Sequence, residues 1–194
     1  GRLQLAVRAA NVGLWDWDLL SNAVHFSPEW KRQLGYEEHE LTSDFAEFES
    51  RLHPEEREDI HKTIQDILSR SGPDFEMELR LRHRDGSYRW ILSRGSRVDA
   101  APGQPIRLMG ANVDLTERKQ AEQTLQQLHR QYELVLNATV EGIHGLDLQG
   151  RITFANRSSS SMLGWEINEM LGKPAHALIH HSHADGSAYP GERC

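Results

Sequence analysis

Between Phe75 and Lys119 the sequence FEMELRLRHRDGSYRWILSRGSRVDAAPGQPIRLMGANVDLTERK leaves few folds open. Phe75, Met77, Leu79 and Leu81 alternate with Glu76, Glu78, Arg80 and Arg82, the period of two of a strand with one buried face. Asp85-Gly86 is expected to supply the positive φ angles of a tight hairpin turn. Tyr88 to Val98 reads as a second strand, Pro102-Gly103 as a second turn and Ile106 to Val113 as a third strand. At Asp114-Leu115-Thr116-Glu117-Arg118-Lys119 the period changes to that of a helix. An antiparallel meander feeding a charged helix suits the passing of strain from a sheet into a rod. It suggests a sensor rather than a catalyst.

The chain also repeats itself. With an offset of 129, Leu5 matches Leu134, Gly13 matches Gly142, Asp18 matches Asp147, and Leu34-Gly35 matches Leu163-Gly164. One residue is expected to drop out in the turn, so that Phe26 pairs with Phe154. Each copy reads helix, strand, turn, strand, then a short helix ending in Leu-Gly-aromatic. In the first copy the N-terminal helix covers Leu3 to Asn11, with strands near Gly13 to Leu19 and Ala23 to Phe26. Ser27 caps a short helix with Pro28 at its first position. Pro54 opens a longer helix to about Ser69, with Ile60, Ile64, Ile67 and Leu68 on its buried face. The meander completes a sheet of five strands. The second copy ends at Cys194 without such a meander, and its inner face is expected to be exposed.

Three segments follow: a complete domain over 1–114, a linker helix over 115–137, and the N-terminal part of a second domain over 138–194. On the linker, Ala121, Leu125, Leu128, Tyr132 and Val135 follow spacings of 4, 3, 4 and 3, the seam of a dimeric coiled coil. The alternative is a helix resting on its own domain. A formal net charge of −7 argues against a nucleic-acid groove, which needs clustered Lys and Arg. No apolar run reaches the roughly 20 residues of a membrane span. The single cysteine, Cys194, excludes an internal disulfide and fits a reducing, cytoplasmic compartment. The opening on Gly rather than Met suggests an excised piece of a longer chain.

These words in this order resemble a PAS domain with a PAC-type C-terminal half. The residues that carry the resemblance are Gly13-Leu-Trp-Asp-Trp-Asp18, Leu34-Gly35-Tyr36, His53-Pro54-Glu55, Glu78-Leu79-Arg80, Asp85-Gly86-Ser87-Tyr88-Arg89-Trp90 and Asp114-Leu115-Thr116-Glu117-Arg118-Lys119. Gly142 to Gly164 resembles the first half of a second such domain. The stretch His180-His181-Ser182-His183-Ala184-Asp185-Gly186 is like a loop of PAS domains in bacterial sensor kinases and cyclases. The resemblance implies an α+β fold: a five-stranded antiparallel sheet with short helices on one face and a cavity between them. It implies a sensory input module homodimeric through the N-terminal and linker helices. Its output would be a downstream effector in the same chain, a histidine kinase or a diguanylate cyclase or phosphodiesterase. The fragment itself is expected to have no catalytic residues.

Alternation places Trp15 and Trp17 on the cavity side of the first strand and Asp16 and Asp18 on the other. Phe26, Trp30, Leu34 and Phe45 join them, with Met77, Leu79 and Leu108 from the meander. By resemblance to light-sensing PAS relatives, Asn112, two before the closing Asp, reaches a ligand. The same alignment turns Ile91 and Ser93 inward and leaves Trp90 on the outer face. With two tryptophans in the wall, a small cavity or none follows. The reactive cysteine of flavin photochemistry is missing, which leaves a noncovalent flavin. Haem would need an axial His such as His61, whereas His53 reads as a cap. His176, His180, His181 and His183 read as a polar loop rather than a metal site, since no carboxylate-helix pattern accompanies them. At the sheet exit Thr116 is expected to cap the linker, and the resemblance implies that Asp114 anchors the junction by an ion pair, for which Arg89, next to Trp90, is the expected partner. Two alternative functions stand beside the sensor: a ligand-free dimerisation scaffold, and a metal-dependent enzyme fragment using the His-rich tail.

Overall fold

A computed structural model describes residues 9–69, 74–98 and 106–193. The chain divides into two compact units, one through Ala121 and one from Glu122. The expected N-terminal helix and the Pro102-Gly103 turn fall largely or wholly outside the described residues.

The first unit begins with β1 (Gly13–Asp18) and β2 (Val24–Phe26), joined through a turn in which Asn22 takes a positive φ. Ser27 accepts the Trp30 amide at 3.3 Å and caps α1 (Pro28–Gln33), with Pro28 in its first turn, as the sequence implies. Two further helices follow, α2 (Phe45–Glu49) and α3 (Arg57–Ser69). The long helix starts at Arg57 rather than Pro54, because His53, Pro54 and the two glutamates form a turn closed by Glu56 N donating to His53 O. Then come β3 (Asp74–Arg82), β4 (Tyr88–Val98) and β5 (Arg107–Asp114). The sheet is fully antiparallel in the order β2-β1-β5-β4-β3.

The first hairpin differs from expectation. Only Gly86 takes a positive φ, at 88°. The loop runs from His83 to Ser87, with Gly86 N bonded to His83 O and His83 N to Ser87 O. Asp85 instead accepts from the Ser87 amide and hydroxyl, so its side chain rather than its backbone shapes the turn.

The core lies on the helix-covered face, where Phe26, Trp30, Leu34, Leu52, Leu79, Leu81 and Ile91 are at most 4% exposed. Phe26 and Trp30 stack at 3.9 Å. The free edge of β3 is covered rather than left as a template: Leu52 bridges to Leu81, and Arg82 N donates to Arg51 O. Glu56 takes both the Arg80 amide, at 2.8 Å, and its guanidinium, at 2.5 Å. That charged bond raises the Arg80 pKa.

Helix α4 runs from Thr116 to Ala138, about 35 Å at 1.5 Å per residue. The second unit continues with β6 (His144–Leu146), β7 (Ile152–Ala155), α5 (Arg157–Leu163), α6 (Ile167–Met170) and α7 (Ala175–Ile179). The internal repeat is real at the level of hydrogen bonds. In the first copy Leu14 N donates to Ser27 Oγ and Ser27 N to Leu14 O; in the second, Ile143 N donates to Asn156 Oδ1 and Asn156 N to Ile143 O. Both short helices end before a left-handed glycine, Gly35 and Gly164.

One alignment is corrected. Trp15 opposes Phe26 and His144 opposes Ala155, so the offset of 129 holds on both sides of the turn and no residue drops out. The second hairpin differs only in a bulge at Gly145/Leu146, and Phe154, 43% exposed, stands where the first copy has His25. Among the described residues the second unit has only its two-stranded sheet, with Met162, Trp165 and Leu171 also exposed. No helix among the described residues is long and apolar enough to cross a membrane.

Candidate functional site

Helices α1, α2 and α3 roof the inner face of the first sheet and border a cavity of about 60 Å³. Of the expected residues, Trp15, Trp17, Phe26, Trp30, Phe45, Met77, Leu79, Ser93, Leu108 and Asn112 form its wall. Leu34 and Ile91 do not; they lie in the core beside it, each 1% exposed. The wall also takes Val24, Phe48, Ile64, Ile67 and Phe75. Ile64 and Ile67 were legible as a buried helix face, but which surface that face covers is a tertiary matter. Phe48 follows Phe45 by three positions, a helical neighbour that spacing alone could have found.

Trp17 stacks on Phe45 at 4.4 Å. Trp15 Nε1 donates to Asn112 Oδ1 at 3.0 Å, and Gln33 Nε2 donates to the Asn112 carbonyl at 3.1 Å. Asn112 is 2% exposed and Ser93, paired with it across β4 and β5, is 7% exposed. The two are the polar spots of an otherwise apolar wall. Ligand pockets usually span about 300–1,000 Å³, so the cavity as it stands has room for a few heavy atoms, well short of a flavin or a haem. His61 is directed at Glu49, 2.7 Å away, and His53 packs its ring on Tyr88, so neither lines the wall.

The sheet-to-helix junction is built differently from the expected ion pair. Arg89 reaches Asp85, at 3.5 Å, rather than Asp114. Asp114 accepts the Thr116 amide at 2.8 Å and so does the capping itself. The Thr116 hydroxyl, freed from that task, accepts the Trp90 amide at 2.9 Å, while Leu115 N donates to Trp90 O at 2.8 Å. Both backbone groups of Trp90 are thus held by the start of α4. The Trp90 ring lies on the outer face, as expected, with the Arg80 guanidinium 5.3 Å and the Lys119 ammonium 5.2 Å from its centroid. Lys119 also pairs with Glu78 at 2.6 Å. The clamp on Trp90 was not legible, because it joins β3, β4 and α4 through side chains on three elements.

Along α4 the expected seam is solvent-facing: Ala121 is exposed, and Leu125, Leu128, Tyr132 and Val135 are 68%, 44%, 60% and 60% exposed. In the histidine-rich segment His176 Nε2 bonds Tyr189 O at 2.9 Å, His183 packs edge-on to the Tyr189 ring, and His181 meets Ser182. Among the described residues no three potential metal ligands converge. His183 to Ser187 repeats the two backbone bonds and the two aspartate–serine bonds of the His83 to Ser87 turn. In both, the serine hydroxyl and then its amide hold the aspartate carboxyl below the usual range.

An antiparallel five-stranded sheet whose last strand runs into a long helix, with helices roofing a small cavity, defines a class, and comparison with known proteins agrees. The PAS fold family matches residues 23–112 and again residues 130–188. A solved sensory box histidine kinase/response regulator from Burkholderia thailandensis is 35% identical, covers 68% of this chain and 98% of its own, and superposes with a TM-score of 0.56. The chain belongs to the PAS family. It is similar to the probable diguanylate cyclase DgcE of Escherichia coli K12, 31% identical over 95% of this chain. It is also similar to the sensor protein FixL of Bradyrhizobium diazoefficiens, 25% identical over 91% of this chain. It spans 16% of the first and 34% of the second, both far longer proteins.

Proposed function

We propose that this chain is a sensory input module of a bacterial signal-transduction protein, which relays a state change through the linker helix to an effector in the same polypeptide. The carrying observation is the attachment of α4 to Trp90, the residue next to Ile91 and three from the wall residue Ser93. Asn112 on the same wall lies two residues before Asp114, about 7 Å along the strand. A change at the wall therefore meets the helix start along both β4 and β5. A bias of a few kcal/mol between two arrangements of that start suffices for relay. The relatives, a probable diguanylate cyclase and histidine kinases among them, support a kinase or cyclase as the effector. In this reading the fragment has no catalytic role of its own and is cytoplasmic. Its working parts are the domain over 1–114, the linker over 115–137 and the second, partial domain over 138–194.

The exposed seam from Ala121 to Val135 supports a homodimer through the linker helix, to which the N-terminal helix would add. Light scattering of the chain is expected to give the dimer mass, and Leu125→Glu with Leu128→Glu the monomer mass; unchanged mass in the double variant removes the seam. The small cavity favours a second reading, a dimerisation scaffold without ligand. Amide exchange at Thr116 to Lys119 separates the two, since a scaffold leaves it the same under every small apolar ligand tried.

A further inference from the structure

One row of the first sheet reads, strand by strand, Phe26, Trp15, Gly110, Gly95, Phe75. Two glycines facing each other in the middle of a sheet weaken it and mark a place where something must approach closely. Here the approaching groups are the flanking rings together with neighbouring backbone. A Cβ on Gly110 would overlap both the Arg94 carbonyl oxygen and the Trp15 indole, and one on Gly95 would lie 2.6 Å from Phe75 Cζ, 2.8 Å from Trp15 Cη2 and 2.9 Å from Met109 O. The two rings stand 6.0 Å apart over the glycine pair, both on the cavity side. The indole is also tethered, since its Nε1 donates to the buried Asn112 carboxamide at 3.0 Å. This is the arrangement of a planar ligand on a bare floor with one hydrogen bond, except that the ligand is a side chain.

We infer that Trp15 is the size- and specificity-determining residue of the cavity, a built-in occupant of the Gly95–Gly110 floor. It restricts the native site to very small apolar molecules. The ring it displaces defines the class that the floor accepts: a flat aromatic heterocycle with an N–H for Asn112 Oδ1. This inference rests on the reading of the cavity as the input site, but it fails separately from it.

The test uses the whole chain with Trp15→Gly, and indole and 1-methylindole as probes. Calorimetry is expected to show indole binding to the variant at least tenfold more tightly than to the wild type, with a raised melting temperature. 1-Methylindole, which lacks the N–H, is expected to bind the variant at least fivefold more weakly than indole. A difference of less than threefold between variant and wild type, or between the two probes, overturns the inference. Should Trp15→Gly not fold alone, refolding with each probe replaces the titration: recovery with indole and not with 1-methylindole supports it, and no recovery overturns it. Indole binding that leaves exchange at Thr116 to Lys119 unchanged keeps the role of Trp15 and removes the cavity's role as input.

Discussion

Replacing Thr116 with valine tests the junction most directly. Thr116 is 4% exposed, and its hydroxyl is the acceptor of the Trp90 amide at 2.9 Å. Valine keeps the shape and the branched Cβ but leaves that amide without its partner in a part-buried place. An orphaned buried donor costs about 1–3 kcal/mol, and the added methyl returns at most about 0.8 kcal/mol. With the methyl gained in full the net loss is about 0.2–2.2 kcal/mol, at roughly 4–8 °C per kcal/mol for a domain near this size. Leu115 N to Trp90 O and the Asp114 cap remain, so α4 should still start at the same place. Urea unfolding followed by tryptophan fluorescence measures the loss, and amide exchange at Trp90 localises it. Thr116→Ser keeps the acceptor and should lie much closer to the wild type. A Thr116→Val protein whose exchange at Trp90 is unchanged would refute the account of the junction.

Two further outcomes are expected. The Asp85 carboxyl is depressed by the Ser87 hydroxyl, then by the Ser87 amide and His83; its contribution is present above the unfolded value near 3.9 and fades as pH falls below it. Asp85→Asn should flatten that part of the urea-midpoint profile below pH 4, and an unchanged profile would mean the turn carries no such charge. Asn156, 2% exposed, caps α5 through Ser159 N and also donates to Leu136 O and Glu141 O. Asn156→Ser reproduces the Ser27 arrangement of the first copy, so it should keep the cap and release Leu136 and Glu141. Hydrogen exchange should then quicken at the end of α4 while that of α5 holds, and equal quickening in both would count against this division of labour.

Local signals announced most of the elements. The alternation of Phe75 to Leu81, the Ser27-Pro28 start of α1 and the change of period at Asp114 depend on neighbours in sequence, and each stands where those neighbours put it. The wall residues Trp15, Trp17, Met77 and Leu79 were legible for the same reason, since facing along a strand is a matter of parity; Asn112 was reached only through the family resemblance. What the sequence alone determined is therefore which side of each element is apolar, because that follows from a local period.

Only the tertiary structure decided which partner each side meets. Arg89 and Asp114 looked suited to each other, yet the hairpin brings Asp85 to Arg89 and leaves Asp114 to cap Thr116. Lys119 and Arg80, distant in sequence, close on Trp90 because three elements converge there. Gly95 and Gly110 meet only through the pairing of β4 with β5, and Trp15 and Phe75 come to lie over them through the strands on either side. Charge and size complementarity admit many pairings along a chain, and the packing of the whole selects among them.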